Sequence, residues 1–497
     1  MRVHALTLGL AVCAVVIGAV AACGGGGGGY GGGMGMAGGG YGGGGGYGGG
    51  MAPAPTAAFT TPSQAVSISL GQAVKLAWTS SNATSCTAST SSTTGGSFTG
   101  SQSANGQASV VPTATGSVTY TLSCSGSGGT TTATSPVVTV NSSILSQLAS
   151  AKAVTLGKTV DPVNGDFKPY GLAIAPATSG LITAGDLVVC NFSNQGNTEG
   201  AGTTIVGLHP TPAANPGGKA YRIAQDAKLQ GCNAVAILPD DSIAAAAFNA
   251  NMNPLVSSSG TVNTPFASDS FAQPWGETYA AASGGKPAAL YVAGLTGSID
   301  RIELNGDSQT SFVQIAMGFC GSGSTGSVYA PSGLTYDPSI DTLYIVDTSS
   351  NSVIALANVS SIGSGGVVVN GNCKSVANPP TPVPTFSGTS ASSARVIAHG
   401  APLFTPISAA LLGNGDLIVT NGDVNIPAGQ MPNLAVEVSP VLPGGFVGEP
   451  VQLDTSGTSG ALFGLAAMVD GQGHQVIYFN DDNTNTVMML ATPSPVP

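Results

Sequence analysis

Apolar and polar residues alternate between Met51 and Asn141: Val74, Leu76 and Trp78 stand one residue apart, as do Val118, Tyr120, Leu122 and Cys124. A period of two belongs to strands with one buried face. Ser/Gly/Thr-rich turns separate the runs, which predicts a sandwich of about seven short strands over residues 52–141. From Ser142 to Pro497 the pattern becomes a loose repeat. Units open on Pro-x-Gly-apolar at Pro169-Tyr170-Gly171-Leu172, Pro274-Trp275-Gly276-Glu277 and Pro331-Ser332-Gly333-Leu334, and on Phe463-Gly464-Leu465 without the proline. They continue into an apolar strand closed by a polar turn, at Asp186–Asn191, Leu343–Asp347, Asp416–Asn421 and Val476–Asn480, with Asn233–Ile237 and Ser242–Ala245 as a degenerate copy. Units begin near residues 169, 232, 274, 331, 406 and 462. Repeated four-stranded units favour a propeller, because radial closure leaves no long exposed sheet edge. Unequal unit lengths predict large insertions at Asn191–Gln230 and Gly363–Leu403.

The stretches Trp78-Thr79-Ser80-Ser81-Asn82-Ala83-Thr84-Ser85-Cys86 and Thr119-Tyr120-Thr121-Leu122-Ser123-Cys124 resemble a bacterial Ig-like domain. They depart from antibody-type domains, since Trp78 precedes the first cysteine and Tyr120 stands four residues before the second. The resemblance implies a spacer or adhesive module. The C-terminal repeat resembles NHL-type propellers, best over Pro331–Leu356. There Asp347-Thr348-Ser349-Ser350-Asn351 has the same spacing as Asp481-Asp482-Asn483-Thr484-Asn485.

At the start of the chain, Arg2 precedes an apolar run from Ala5 to Ala22, near the lower limit for a membrane-spanning helix and closed by small residues, as in an export signal. Val20-Ala21-Ala22-Cys23 resembles a bacterial lipobox, which implies removal of residues 1–22 and acylation of Cys23. Acyl chains contribute roughly 0.8 kcal/mol per buried methylene, enough to hold a protein at a lipid bilayer without a spanning segment. Residues 23–51 are mostly glycine, 21 of the 27 positions from Gly24 to Gly50, and read as a flexible tether. The expected location is the bacterial cell envelope, outside the cytoplasm, at the outer membrane or cell surface.

Charge narrows the partners. Lys and Arg total 12 in a chain of net charge -11, too few for the basic stripe that neutralises phosphates, so no nucleic acid is expected. With Cys13 in the signal and Cys23 acylated, six cysteines remain in an exported chain that has no C-x-x-C, which points to disulfides. Of the fifteen connectivities, domain neighbourhood favours Cys86–Cys124, Cys190–Cys232 and Cys320–Cys373.

The candidate chemistry is sparse. Histidines stand at 4, 209, 399 and 474, outside any H-E-x-x-H, and no G-x-S-x-G or Walker loop occurs. Asp481–Asn485 looks like a calcium loop, but an EF-hand needs Gly and Glu where Thr486 and Thr492 stand. The recurrence at Asp347–Asn351 makes it a blade turn. Six-bladed propellers include calcium-dependent lactonases, and Glu277 and Asn233 are the polar residues that can be placed on such a rim. Two oxygens are too few for a metal, and the plain reading makes Glu277 a solvated mouth residue and Asn233 a turn or cap. Tyr170, Trp275 and Phe463 recur around one Pro-x-Gly position. Facing the opening, they would form a platform for a sugar or other flat apolar ligand; otherwise they pack between blades.

The expectation is an all-β chain, a small Ig-like sandwich followed by an NHL-like six-bladed β-propeller over 142–497. It would be lipid-anchored and act as a binding scaffold for an envelope protein or glycan. No catalytic residue or cofactor is assigned. The alternative is a metal-dependent, lactonase-like hydrolase or lyase with calcium in the propeller channel.

Overall fold

The computed structural model describes residues 51–496 except 267–272, 325–326, 372–381, 423–425, 427–428 and 457. The expected export signal, Cys23 and the glycine-rich stretch to Gly50 lie outside the described residues, as does Cys373.

The sandwich carries ten strands between Thr56 and Asn141 rather than about seven, because three-residue pieces such as Gly100–Gln102 and Gly116–Val118 stand apart from their neighbours. Leu76, Trp78, Phe98, Tyr120 and Leu122 fill its core. The two polar ring atoms are satisfied inside: Tyr120 donates to Gly95 O at 2.9 Å and Trp78 to Ser103 O at 3.0 Å. The Cys86–Cys124 disulfide joins directly opposed residues of adjacent strands, Ser85–Thr90 and Tyr120–Gly126, with Cα atoms 4.0 Å apart. It therefore staples one sheet instead of bridging two, a real departure from the antibody-type core.

Six further sheets form the propeller. Their inner strands are Phe167–Ile174, Cys232–Ile237, Pro274–Ala280, Pro331–Asp337, Pro406–Leu411 and Leu465–Val469, blades 1 to 6 in chain order. Each inner strand touches the next, and that of blade 6 touches that of blade 1. Blade 6 supplies only three strands from the C-terminal end, and its outer strand is Val154–Lys158, paired antiparallel with Thr486–Met489. The ring is thus closed by chain that precedes blade 1. The Cys190–Cys232 disulfide ties blade 1 to blade 2. Cys320 is also disulfide-bonded.

The repeated motif has a steric cause. A Cβ on Gly276 would fall 1.5 Å from Ser332 O, and one on Gly464 would fall 2.4 Å from Tyr170 O. Gly171 and Gly333 likewise abut the inner strands of blades 2 and 5. The motif glycine marks where neighbouring inner strands crowd around the hub, and blade 6 meets blade 1 in the same way as blade 1 meets blade 2, blade 3 meets blade 4 and blade 4 meets blade 5.

A second device repeats. Asn251, Asn351, Asn433 and Asn485, each at the turn between second and third strands, are left-handed, with φ between 50 and 57°. Their side-chain oxygens accept from the backbone N–H of Gln273 (2.7 Å), Thr405 (2.7 Å), Ala461 (3.0 Å) and Lys168 (2.8 Å), just ahead of the next blade's motif. The Asp-to-Asn spacing is a blade turn, with Asp347 and Asp481 accepting from Ser349 and Thr484 N–H within it. Its asparagine is also an inter-blade clamp.

The expected insertions need correction. Asn191–Gln230 contains blade 1's own third and fourth strands, Thr204–Leu208 and Tyr221–Gln225. Gly363–Leu403 is partly inserted: Val367–Asn370 and Thr385–Ser387 extend blade 3, while Ala394–His399 is the outer strand of blade 4. Between sandwich and ring, the helix Ile144–Ala149 lies against blades 5 and 6. Glu437 accepts from Ile144 and Leu145 N–H at 3.3 and 2.6 Å, and Gln72 of the sandwich donates to Asp416 at 3.0 Å. No helix among the described residues is long and apolar enough to cross a membrane.

Candidate ligand-binding channel at the propeller hub

All six inner strands line a channel of about 300 Å³. The second motif position carries Tyr170, Asn233, Trp275, Ser332, Ile407 and Phe463 in blades 1 to 6. Tyr170, Trp275, Ile407 and Phe463 join Phe192, Phe248, Leu295 and Ala330 in one apolar cluster. The Tyr170 ring is stacked between Phe192 and Phe463, with centroids 4.2 and 3.9 Å away, and Trp275 sits edge-on to Tyr170, Phe192 and Phe248. The three aromatic residues singled out in the sequence do converge. They do not form an open platform, because Tyr170 is covered by the stacked rings of Phe192 and Phe463 and Trp275 is packed edge-on among its neighbours. The arrangement is a plug across the motif end of the channel. Further along the strands burial falls off, and Ala173, Ile237, Tyr279 and Tyr336 are half-buried where the channel opens.

The fourth motif position carries Leu172, Val235, Glu277, Leu334, Ala409 and Leu465. The five aliphatic residues close the inner ends of the cores between blades. Glu277 stands in the same place, 7% exposed, and so is not a solvated mouth residue. Its Oε2 accepts from Asn253 Nδ2 at 3.2 Å and its Oε1 has no partner. Burial pushes its pKa well above 4.5, against the opposing hydrogen bond from Asn253. Asn233 is neither turn nor cap: it lies on an inner strand and donates to Trp275 O, and its Oδ1, like that of Asn253, is buried without a partner. Asp300 faces the same side of blade 3 as Glu277, across Val292, and burial pushes it up to about 7.

Sequence reasoning missed Asn253, which lies in no motif. It also missed Tyr279 and Tyr336, although both occupy the sixth place of their repeats and alignment of the repeats would have found them. The described histidines do not converge: His209 pairs with Asp186, His399 with Ser352 and His474 with Asp470. Among the described residues no group of three or more His, Cys, Asp or Glu side chains could hold a metal. A carboxyl pair that spacing could not reveal does exist far from the hub. Asp416 and Glu437, both buried, are raised by burial to about 6 and about 8, with the charge of Asp416 adding to the rise at Glu437.

No family model and no curated protein matches the chain. Solved structures similar to it include a gluconolactonase from Xanthomonas campestris, at 15% identity over 70% of this chain and 91% of that one, with a TM-score of 0.42. A streptogramin B lyase is similar at 12% identity over 68% and 97%, with a TM-score of 0.38. So is the calcium-binding protein regucalcin from Agrobacterium tumefaciens, at 12% over 69% and 97%, with a TM-score of 0.38.

Proposed function

We propose that this is an exported, lipid-anchored envelope protein whose propeller binds a small ligand in its hub channel. One observation carries the reading. Five blades place an aliphatic side chain at the fourth motif position and one places a carboxyl with an unpartnered oxygen. Leucine at that place closes a core, so a buried acid there costs stability and is explained by contact with something the channel admits. The plug's covered ring faces argue against a sugar stacked over the motif end, and favour a molecule that fits within the channel. Cys23 would supply the anchor. Replacing Cys23 with Ser should move the protein from the membrane fraction to the soluble envelope fraction, with the fold unchanged. Retention in the membrane fraction would remove the anchor from the account.

A second reading, a metal-dependent hydrolase, is favoured by the chemistry of the same donors. The unpartnered oxygens of Glu277, Asn233 and Asn253 are hard ligands of the kind calcium takes. Bound there, a calcium ion would polarise a carbonyl, while Glu277 and the two amides would hold it. Dialysed full-length protein that retains one calcium per chain and hydrolyses a lactone, losing both in Glu277→Gln, would establish this reading over simple binding.

A further inference from the structure

We propose that the hub channel is a receptor for a small organic cation, with an ammonium group seated against Glu277 beneath the aromatic plug. The inference rests on the channel being a ligand site and names the class of ligand.

Glu277 is the sole carboxyl among the lining residues, and no Lys, Arg or His is among them. An acid buried without a cationic partner is a poor element of a core and a good half of an ion pair. With Glu277 ionised, the unpartnered oxygens here are all acceptors: Glu277 Oε1, Asn233 Oδ1 and Asn253 Oδ1. A ligand that satisfies them must bring N–H donors, and one that compensates Glu277 must bring positive charge; an ammonium does both. The plug closes one end with Tyr170, Trp275 and Phe463, and Tyr279 and Tyr336 are among the residues lining the other, although the Tyr336 ring stacks on Tyr291. Aromatic rings around a carboxyl suit an organic cation, whose charge they attract and whose carbon they pack against. A channel of about 300 Å³ holds on the order of ten non-hydrogen atoms, taking about 30 Å³ for each water-sized one.

Proton balance gives the inference a signature. Burial holds free Glu277 in its acid form over the lower part of the pH range. The groups facing it are the amide of Asn253 from blade 2, Asp300 across its own blade, and Tyr279 and Tyr336 along the channel, none of them basic. A bound cation would favour the carboxylate, so binding would release a proton to solvent and strengthen as pH rises, levelling off once free Glu277 is ionised.

The test is isothermal titration calorimetry of the full chain with three probes of nearly equal size: benzylammonium, benzyl alcohol and benzoate. The expected result is binding of benzylammonium at least ~tenfold tighter than benzyl alcohol, with benzoate weakest. The binding heat should vary with the buffer's ionisation heat, as proton release requires. Glu277→Gln, which keeps an acceptor for Asn253, should abolish the preference and the proton release; its thermal unfolding checks that it folds. Equal affinity for ammonium and alcohol, or a preference that survives in Glu277→Gln, overturns the inference. If that unselective binding is blocked by Ala173→Phe, the channel remains a ligand site and only the ligand class fails. Absence of binding by every probe overturns both. Calcium uptake at Glu277 with no ammonium binding overturns it in favour of the metal reading.

Discussion

At the residue scale, the hub is governed by which side chain each blade puts at two motif positions. In the four blades that carry it, glycine at the third is dictated by distance. Gly276→Ala should lose about 3–5 kcal/mol, because the new methyl meets a backbone carbonyl that cannot swing away. Gly471→Ala, where a Cβ meets nothing, should change stability by less than about 0.5 kcal/mol; comparable denaturant midpoints for the two would contradict the crowded hub. Glu277 at the fourth position has the opposite character, since it is tolerated and not required. Its pKa is raised in the folded chain, so its contribution is present below 4.5 and lost as pH rises above it. Glu277→Gln should therefore be at least as stable as the parent, with an advantage that widens with pH; a constant difference between pH 5 and pH 9 would refute this.

At the element scale, the turn asparagines hold the blades in order. Asn351→Ala removes the acceptor for Thr405 N–H and places alanine at φ 50°, so a loss of about 2–3 kcal/mol in chemical unfolding is expected. Asn351→Asp keeps an acceptor and should lose markedly less. If the two variants were equally destabilised, the clamp would not explain the residue. These turns also show what can be read from sequence. Repeat spacing located all six inner strands, four of them because they begin where glycine is sterically required and those of blades 2 and 5, with Ala234 and Ser408 there, by their place in the repeat, and it identified the Asp-to-Asn segment as a turn. It could not show that the asparagine reaches the next blade, since that bond spans a distance of 22 residues at Asn251 and 54 at Asn351. Outer strands were harder still. They are edge elements with weak patterns, so blade 1's own strands read as an insertion and the closing strand Val154–Lys158 could not be assigned. At the site, the repeat placed Glu277 and Asn233 on the inner strands but not their burial, because the hydrogen bond from Asn253 to Glu277 joins two blades and depends on packing.

At the scale of the whole molecule, the sandwich, the short helix and blade 5 meet over a buried acid pair. Asp416 takes Gln72 from the sandwich and Glu437 takes the first N–H groups of the helix. Both carboxyls titrate above their ordinary range when folded, so the stability they add is full below about pH 4 and lost as pH rises through about 8. Melting of the full chain should fall over that window by on the order of 2 °C or more relative to Glu437→Gln, with the curves closest at low pH. Parallel curves would show that the pair does not sense pH.

Ring closure underlies every statement about the hub, and hydrogen exchange of the full chain tests it most directly. If Val154–Lys158 completes blade 6, its amides exchange slowly and together with those of Thr486–Ala491, and a chain beginning at Asp161 loses protection in the latter segment. Fast exchange across Val154–Lys158, with Thr486–Ala491 equally protected in both chains, would contradict the closed ring and the channel it encloses.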